Sequence, residues 1–149
     1  MEWLIFFGLL VLAWFLVKDW WSKFSKSQPS AAPASGAFLQ GNGGFDLEVV
    51  GESNYQPALR RVSGPGKVRH ECKAILVLED DNAYDKKAVR VDIGGATVGY
   101  LSREAARAYR KGLKKAGHPD LTAECNAIIV GGGEGRDSVG VWLDLPVEE

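Results

Sequence analysis

The sequence predicts a mainly β domain with one or two helices, closed as a barrel or packed as a sandwich, over residues 45–149. Three features carry that expectation. Apolar residues alternate with polar ones in two places, at Val89, Val91 and Ile93 and again at Val139, Val141, Leu143 and Leu145, the period of a half-buried strand. Glycine pairs and triplets separate the apolar runs, at Gly94-Gly95 and Gly131-Gly132-Gly133, where tight turns need positive φ. Only the stretch from Ser102 to Gly117 has a clear helical period.

The elements follow in order. Leu47, Val49 and Val50 open a first strand that Gly51 ends. Cys72 to Leu78 is a nearly unbroken apolar run of strand length, interrupted only by Lys73. Val89 to Ile93, Gly94-Gly95 and Thr97 to Leu101 read as a hairpin. Ala127 to Val130 and the alternating run at 139–145 close the domain. In the helix, Ser102 is an N-cap residue, Glu104 suits the first turn, and Gly117 before His118-Pro119 stops it. Ala105, Ala106, Tyr109, Leu113 and Ala116 share one face; Arg103, Arg107, Arg110, Lys111, Lys114 and Lys115 spread over the other.

Residues 1–24 are expected to form a single transmembrane anchor. Trp3 to Val17 carry no charge, and tryptophans bracket the run. Counted through Trp21, a helix is about 28 Å long at ~1.5 Å per residue, close to the hydrocarbon thickness. Lys18 would snorkel and Asp19 would sit among headgroups. A cleaved signal peptide would want positive charge before the run, yet Glu2 is the only charge there. Lys18, Lys23 and Lys26 all follow the run, so the positive-inside rule places the domain on the cytoplasmic side of the inner or plasma membrane. Residues 25–44, rich in Ser, Ala, Pro and Gly, read as a flexible tether.

Composition excludes little by itself: the formal net charge is −1. Its distribution says more. Between Ser102 and Gly117 six basic residues face one acid, whereas from His118 onward one basic residue faces seven acids. Such a helix face is either simply solvated or a binding face for phosphate, and acidic lipid headgroups compete for the same role. Cys72 and Cys125 lie in apolar runs and are expected to be free, buried thiols. No cysteine–histidine cluster suggests zinc, and Glu79, Asp80, Asp81 and Asp85 lack the glycine and the twelfth-position Glu of a calcium loop. No metal or cofactor is expected. Neither His70 nor His118 has a nucleophile pattern beside it, and Gly131–Gly135 follows a strand without opening a helix. The expectation is a binding module with no catalytic residues.

Leu78 to Leu101, LEDDNAYDKKAVRVDIGGATVGYL, joins an acidic-aromatic loop to a strand, a Gly-Gly turn and a second strand. Together with Val49–Gln56 and with Val130–Gly133 running on to Gly140–Leu145, that order resembles the HIRAN domain. The resemblance implies an OB-fold-like β-barrel whose pocket takes the 3′ end of single-stranded DNA, with aromatic rings on the terminal bases and an Asp on the 3′-hydroxyl. Carried over, it makes Asp85 the end-reading carboxylate, with Asn82 and Tyr84 in the same loop. Tyr55 becomes a stacking ring, Tyr100 a second candidate, and Arg103 a phosphate contact. Arg107, Arg110, Lys111 and Lys114 would extend that contact along the helix. The chain departs from the pattern at Asn54, where relatives have a second stacking tyrosine, and at Ser53, where they have arginine. Ala83 replaces the usual loop proline, and Tyr100 stands where some relatives have histidine. The implied partner is single-stranded DNA or another nucleic acid. The alternative is a scaffold that recruits an unknown protein partner to the membrane face.

Overall fold

The computed structural model describes residues 36–146. Seven strands and two helices follow in the order β1 (Ala37–Leu39), β2 (Leu47–Val50), a 3-10 turn (Glu52–Tyr55), α1 (Gln56–Ser63), β3 (Val68–Glu79), β4 (Ala88–Ile93), β5 (Ala96–Leu101), α2 (Arg103–Lys115), β6 (Ala123–Gly133) and β7 (Arg136–Asp144). Six strands run β6-β3-β4-β5-β2-β7, and β7 returns to pair with β6. All these pairings are antiparallel. Closure leaves no open edge in the ring. The closed six-strand barrel fits an OB-like fold.

The interior is filled by the alternating residues of every strand. Val49, Leu76, Val89, Val91, Val98, Ile129, Val141 and Leu143 are all fully or nearly fully buried. Burial of each such side chain is worth about 1.5–3 kcal/mol. The hairpin between β4 and β5 has the expected turn: Gly94 and Gly95 have φ of 59° and 79°, and Ile93 pairs with Ala96. Gly99 answers a different need. A Cβ there would meet the Val50 carbonyl oxygen at 2.6 Å, so only glycine lets β2 lie this close against β5.

Helix α2 begins and ends as its sequence predicts. Ser102 Oγ accepts the Ala105 N–H at 3.2 Å. At the far end the His118 N–H reaches the Leu113 carbonyl and the Gly117 N–H reaches that of Lys114, a Schellman closure with Gly117 at φ 84°. Ala106 and Leu113 are buried, and Tyr109 packs against the core. Cys125 is buried, Cys72 is half-buried, and both thiols are free.

Three features differ from expectation. The tether predicted over residues 25–44 is interrupted: Ala37–Leu39 pair in parallel with Ala123–Cys125 of β6, just beyond Asn126, where β7 stops pairing. Three residues suffice because β6 supplies the other half of the ladder. Helix α1, the second of the one or two helices expected, lies where the sequence marked none. Its Gln56 amide donates to the Glu52 and Val139 carbonyls and accepts the Val139 N–H, acting as a short substitute strand at the start of β7. Arg60 donates to the carbonyls of Gly64, Gly66 and Asp137. The third is Asp92, expected to face outward. Its carboxylate stays on the face of Arg90 and Thr97, and their hydrogen bonds cover it there, leaving the residue 6% exposed.

The transmembrane helix expected over 1–24 lies outside the described residues. Among the described residues no helix is long and apolar enough to cross a membrane.

Candidate nucleic-acid interface

The loop between β3 and β4 is built around Asn82. Its Oδ1 accepts the N–H groups of Tyr84 (2.9 Å) and Asp85 (3.1 Å), and its Nδ2 donates to Glu79 Oε2 at 2.7 Å. Asn commonly turns a chain by accepting from the backbone two residues on. Asn82 therefore holds the loop, and its amide is largely spent on doing so.

That turn throws Tyr84 outward. Its ring is 93% exposed, so it does not plug the barrel. A free aromatic face of this kind can stack on any base, at about 1–3 kcal/mol per base. Asp85 is placed differently. One oxygen, Oδ1, accepts the Lys87 N–H at 2.9 Å, which is the turn role that Asp often plays. The other, Oδ2, lies 3.6 Å from Arg107 Nη1 and 3.9 Å from Arg103 Nε. Asp85 thus serves the turn with one oxygen and faces the helix cations with the other.

The basic face of α2 is not uniform. At about 100° per residue, Arg103, Arg107, Arg110 and Lys114 fall in one sector some 60° wide, while Lys111 lies well outside it. Arg103 and Arg107 are 77% and 50% exposed, and Arg107 Nη1 also donates to the Arg103 carbonyl at 3.0 Å. Arg110 is tied down. Its guanidinium donates to the carbonyls of Lys87 and Ala88 and to Asp80 Oδ1, fastening the helix to the loop. Lys111 and Lys114 are exposed, and neither takes part in an ion pair among the described residues.

The aromatic half of the site lies on the outer face of β5. Tyr100 is opposite Arg90 on β4 and Val50 on β2. Tyr55 ends the 3-10 turn, and its hydroxyl lies near that of Tyr100. Burial first, then the nearby Glu79 carboxylate, pushes the Tyr100 hydroxyl up to about 12. Glu79 thus stands beside both halves: it accepts from Asn82 in the loop and faces Tyr100 on the strand.

Sequence reasoning weighed Glu79 only as part of a calcium loop and did not single out Arg90. Arg90 donates to Glu79 Oε1 at 2.9 Å and grips Asp92 through Nε and Nη2, both at 2.9 Å, while Thr97 Oγ1 adds a hydrogen bond to Asp92. The signal available was Arg90 at an outward position of an alternating strand. Its partners, Asp92 two residues on and Glu79 on β3, are set by side-chain geometry that no periodicity reveals. Among the described residues no three His, Cys, Asp or Glu side chains converge to hold a metal.

Taken together, the site offers a hydroxyl acceptor, two guanidiniums beside it, a free aromatic ring at the loop tip and a tyrosine pair on the barrel wall. The closed barrel that carries this surface is of the OB-like class. The chain is a member of the HIRAN domain family, whose model matches residues 45–130, more than half of its length. Domains of this family are in general nucleic-acid-binding modules. No curated protein and no solved structure matches the chain.

Proposed function

We propose that this chain is a non-enzymatic module that binds single-stranded DNA and prefers a free 3′ end. The observation that carries the reading is the division of labour within Asp85. Oδ1 is fixed on the Lys87 N–H, and Oδ2 is turned toward Arg103 and Arg107 at distances too long for hydrogen bonds. A 3′-hydroxyl can donate to Oδ2 while the neighbouring phosphate is met by the two guanidiniums. A 3′-phosphate would be repelled by the same carboxylate. Tyr84, and the Tyr55–Tyr100 pair, offer rings for the terminal bases. A hydrogen bond to a charged acceptor is worth about 1.5–3 kcal/mol, or roughly 10- to 100-fold in affinity. Fluorescence anisotropy with two otherwise identical strands, one ending in 3′-hydroxyl and one in 3′-phosphate, tests it. Equal affinities would remove the end preference and leave a salt-dependent basic surface.

The attachment of this module rests on the sequence alone. The apolar run at 3–17 and the lysines after it support a single-pass anchor with the domain on the cytoplasmic side. Retention of the chain in membranes after a carbonate wash is the expected outcome, and full release would end that reading.

One observation favours a protein partner as the second reading. A cleft of about 610 Å³, lined mainly by apolar side chains such as Leu39, Leu47, Leu113 and Leu145, lies between α2 and the ends of β1, β2 and β7. It is on the small-residue flank of α2, with Ala105, Ala108, Gly112 and Ala116, away from Asp85. If neither strand binds even at low salt, recruitment through this cleft becomes the leading reading.

A further inference from the structure

We infer that Glu79 and Arg90 are positioning residues for the loop at 82–85, linking the barrel wall to the backbone that presents Tyr84 and Asp85. The inference rests on the proposed binding site and adds to it the device that sets its geometry.

The link is a chain in which each polar atom has its own partner. Arg90 is anchored on the wall by its two-point grip on Asp92, which is nearly buried and also held by Thr97. Its remaining nitrogen, Nη1, donates to Glu79 Oε1 at 2.9 Å. Glu79 Oε2 accepts Asn82 Nδ2 at 2.7 Å. Asn82 Oδ1 accepts the Tyr84 and Asp85 N–H groups. Glu79 and Arg90 are mostly shielded from solvent, where charge-assisted hydrogen bonds are stronger than in water. The loop itself contributes little apolar burial: Asp80, Asp81, Ala83, Tyr84, Lys86 and Lys87 are all exposed. Side-chain bonds, including this chain of them, therefore decide where the Asp85 carboxylate sits. An amide cannot rotate freely here, because Asn82 must present its oxygen to the backbone and its nitrogen to Glu79. The polarity of the link runs one way.

That polarity can be reversed. Glu79→Gln alone leaves an acceptor for either Arg90 or Asn82, but not for both. Asn82→Asp alone keeps the acceptor for the Tyr84 and Asp85 amides and sets a second carboxylate against Glu79. In the double variant Glu79→Gln/Asn82→Asp, the new amide nitrogen donates to the new carboxylate and its oxygen still accepts from Arg90. Donor and acceptor have been exchanged at unchanged net charge.

Two readouts on the whole chain decide the matter: amide hydrogen exchange at Tyr84 and Asp85 without ligand, and the affinity ratio for 3′-hydroxyl over 3′-phosphate strands. Each single variant is expected to speed exchange at Tyr84 and Asp85 about tenfold or more and to lower the end ratio at least threefold. Exchange at Ile129 and Val141 should be unchanged, and the double variant should recover both readouts. Three results would overturn the inference: unchanged exchange at the loop, faster exchange throughout the barrel, or a double variant no better than the worse single one. If the unaltered chain shows no end preference while loop exchange responds and is rescued, the link stands and the end-binding reading falls.

Discussion

Arg107 Nη1 stands 3.6 Å from Asp85 Oδ2, and Arg103 Nε stands 3.9 Å from the same oxygen. The carboxylate is only 17% exposed, yet neither guanidinium closes to hydrogen-bond distance. The charge is compensated, and the oxygen keeps capacity to accept a further donor.

This arrangement predicts that Asp85 carries the discrimination between strand ends. Asp85→Asn retains an oxygen for the Lys87 N–H but removes the charge that repels phosphate and attracts the two arginines. The variant should bind a 3′-phosphate strand more tightly than the parent does, by about tenfold or ~1.4 kcal/mol, and lose preference for the hydroxyl. Anisotropy titrations at one fixed salt concentration check both halves of that statement.

Tyr84 separates binding from stability. Because its ring touches almost nothing, Tyr84→Ala should change the unfolding free energy by no more than about 0.5 kcal/mol. Affinity for single strands should fall by about 1–3 kcal/mol. Tyr55→Phe keeps a stacking ring and removes only the hydroxyl near Tyr100, so its affinity loss should be much smaller than that of Tyr55→Ala. Urea unfolding beside anisotropy distinguishes the two kinds of effect.

Arg110 and Lys114 fall in one sector of α2 and should behave differently. Arg110→Ala removes three hydrogen bonds that tie α2 to the loop. It should lower stability by about 1–2 kcal/mol, the bond to the exposed Asp80 contributing least. Lys114→Ala should leave stability alone and reduce the slope of log K against log salt by about 0.7, the release of one phosphate's counterion from a single strand.

Alkali should weaken the barrel in a defined window. Burial pushes the Cys72 thiol up to about 11 and that of Cys125 to about 12, and it pushes the Tyr100 and Tyr109 hydroxyls to about 12. These groups stay protonated in the fold while the unfolded chain ionises at ordinary values, near 9 for the thiols and 10 for the phenols. Above pH 9 the unfolded state binds fewer protons, so stability falls as pH rises toward 12 and is fully present below 9. Urea midpoints between pH 8 and 11 should show the decline, and Cys125→Ala should flatten its thiol part.

Much of the barrel was legible in the sequence because strands with one buried face must alternate, and Val89-Arg90-Val91 and Val139–Leu143 do so without interruption. The termini of α2 were equally clear, since Ser102 and Gly117 act on neighbours three to five residues away. Helix α1 was not. Only Leu59 in it is buried, and its side chains Gln56 and Arg60 bond to backbone at Val139 and Asp137, far along the chain. Strand β1 was hidden for the same reason: Ala37–Leu39 carry no pattern and become a strand by pairing with β6. At the site, the sequence located the loop and the basic helix. It did not reveal that Asn82 and Arg110 hold the architecture while one oxygen of Asp85 faces Arg103 and Arg107. Nor did it reveal that Glu79 and Arg90 join β3 to β4 through a side-chain hydrogen bond.

The comparison of strand ends tests the account most directly. Two single strands of the same sequence are titrated with the unaltered chain, one ending in 3′-hydroxyl and the other in 3′-phosphate. The account predicts at least tenfold tighter binding of the hydroxyl end, with the preference abolished in Asp85→Asn. Equal affinity for both ends, or tighter binding of the phosphate end by the unaltered chain, would contradict it.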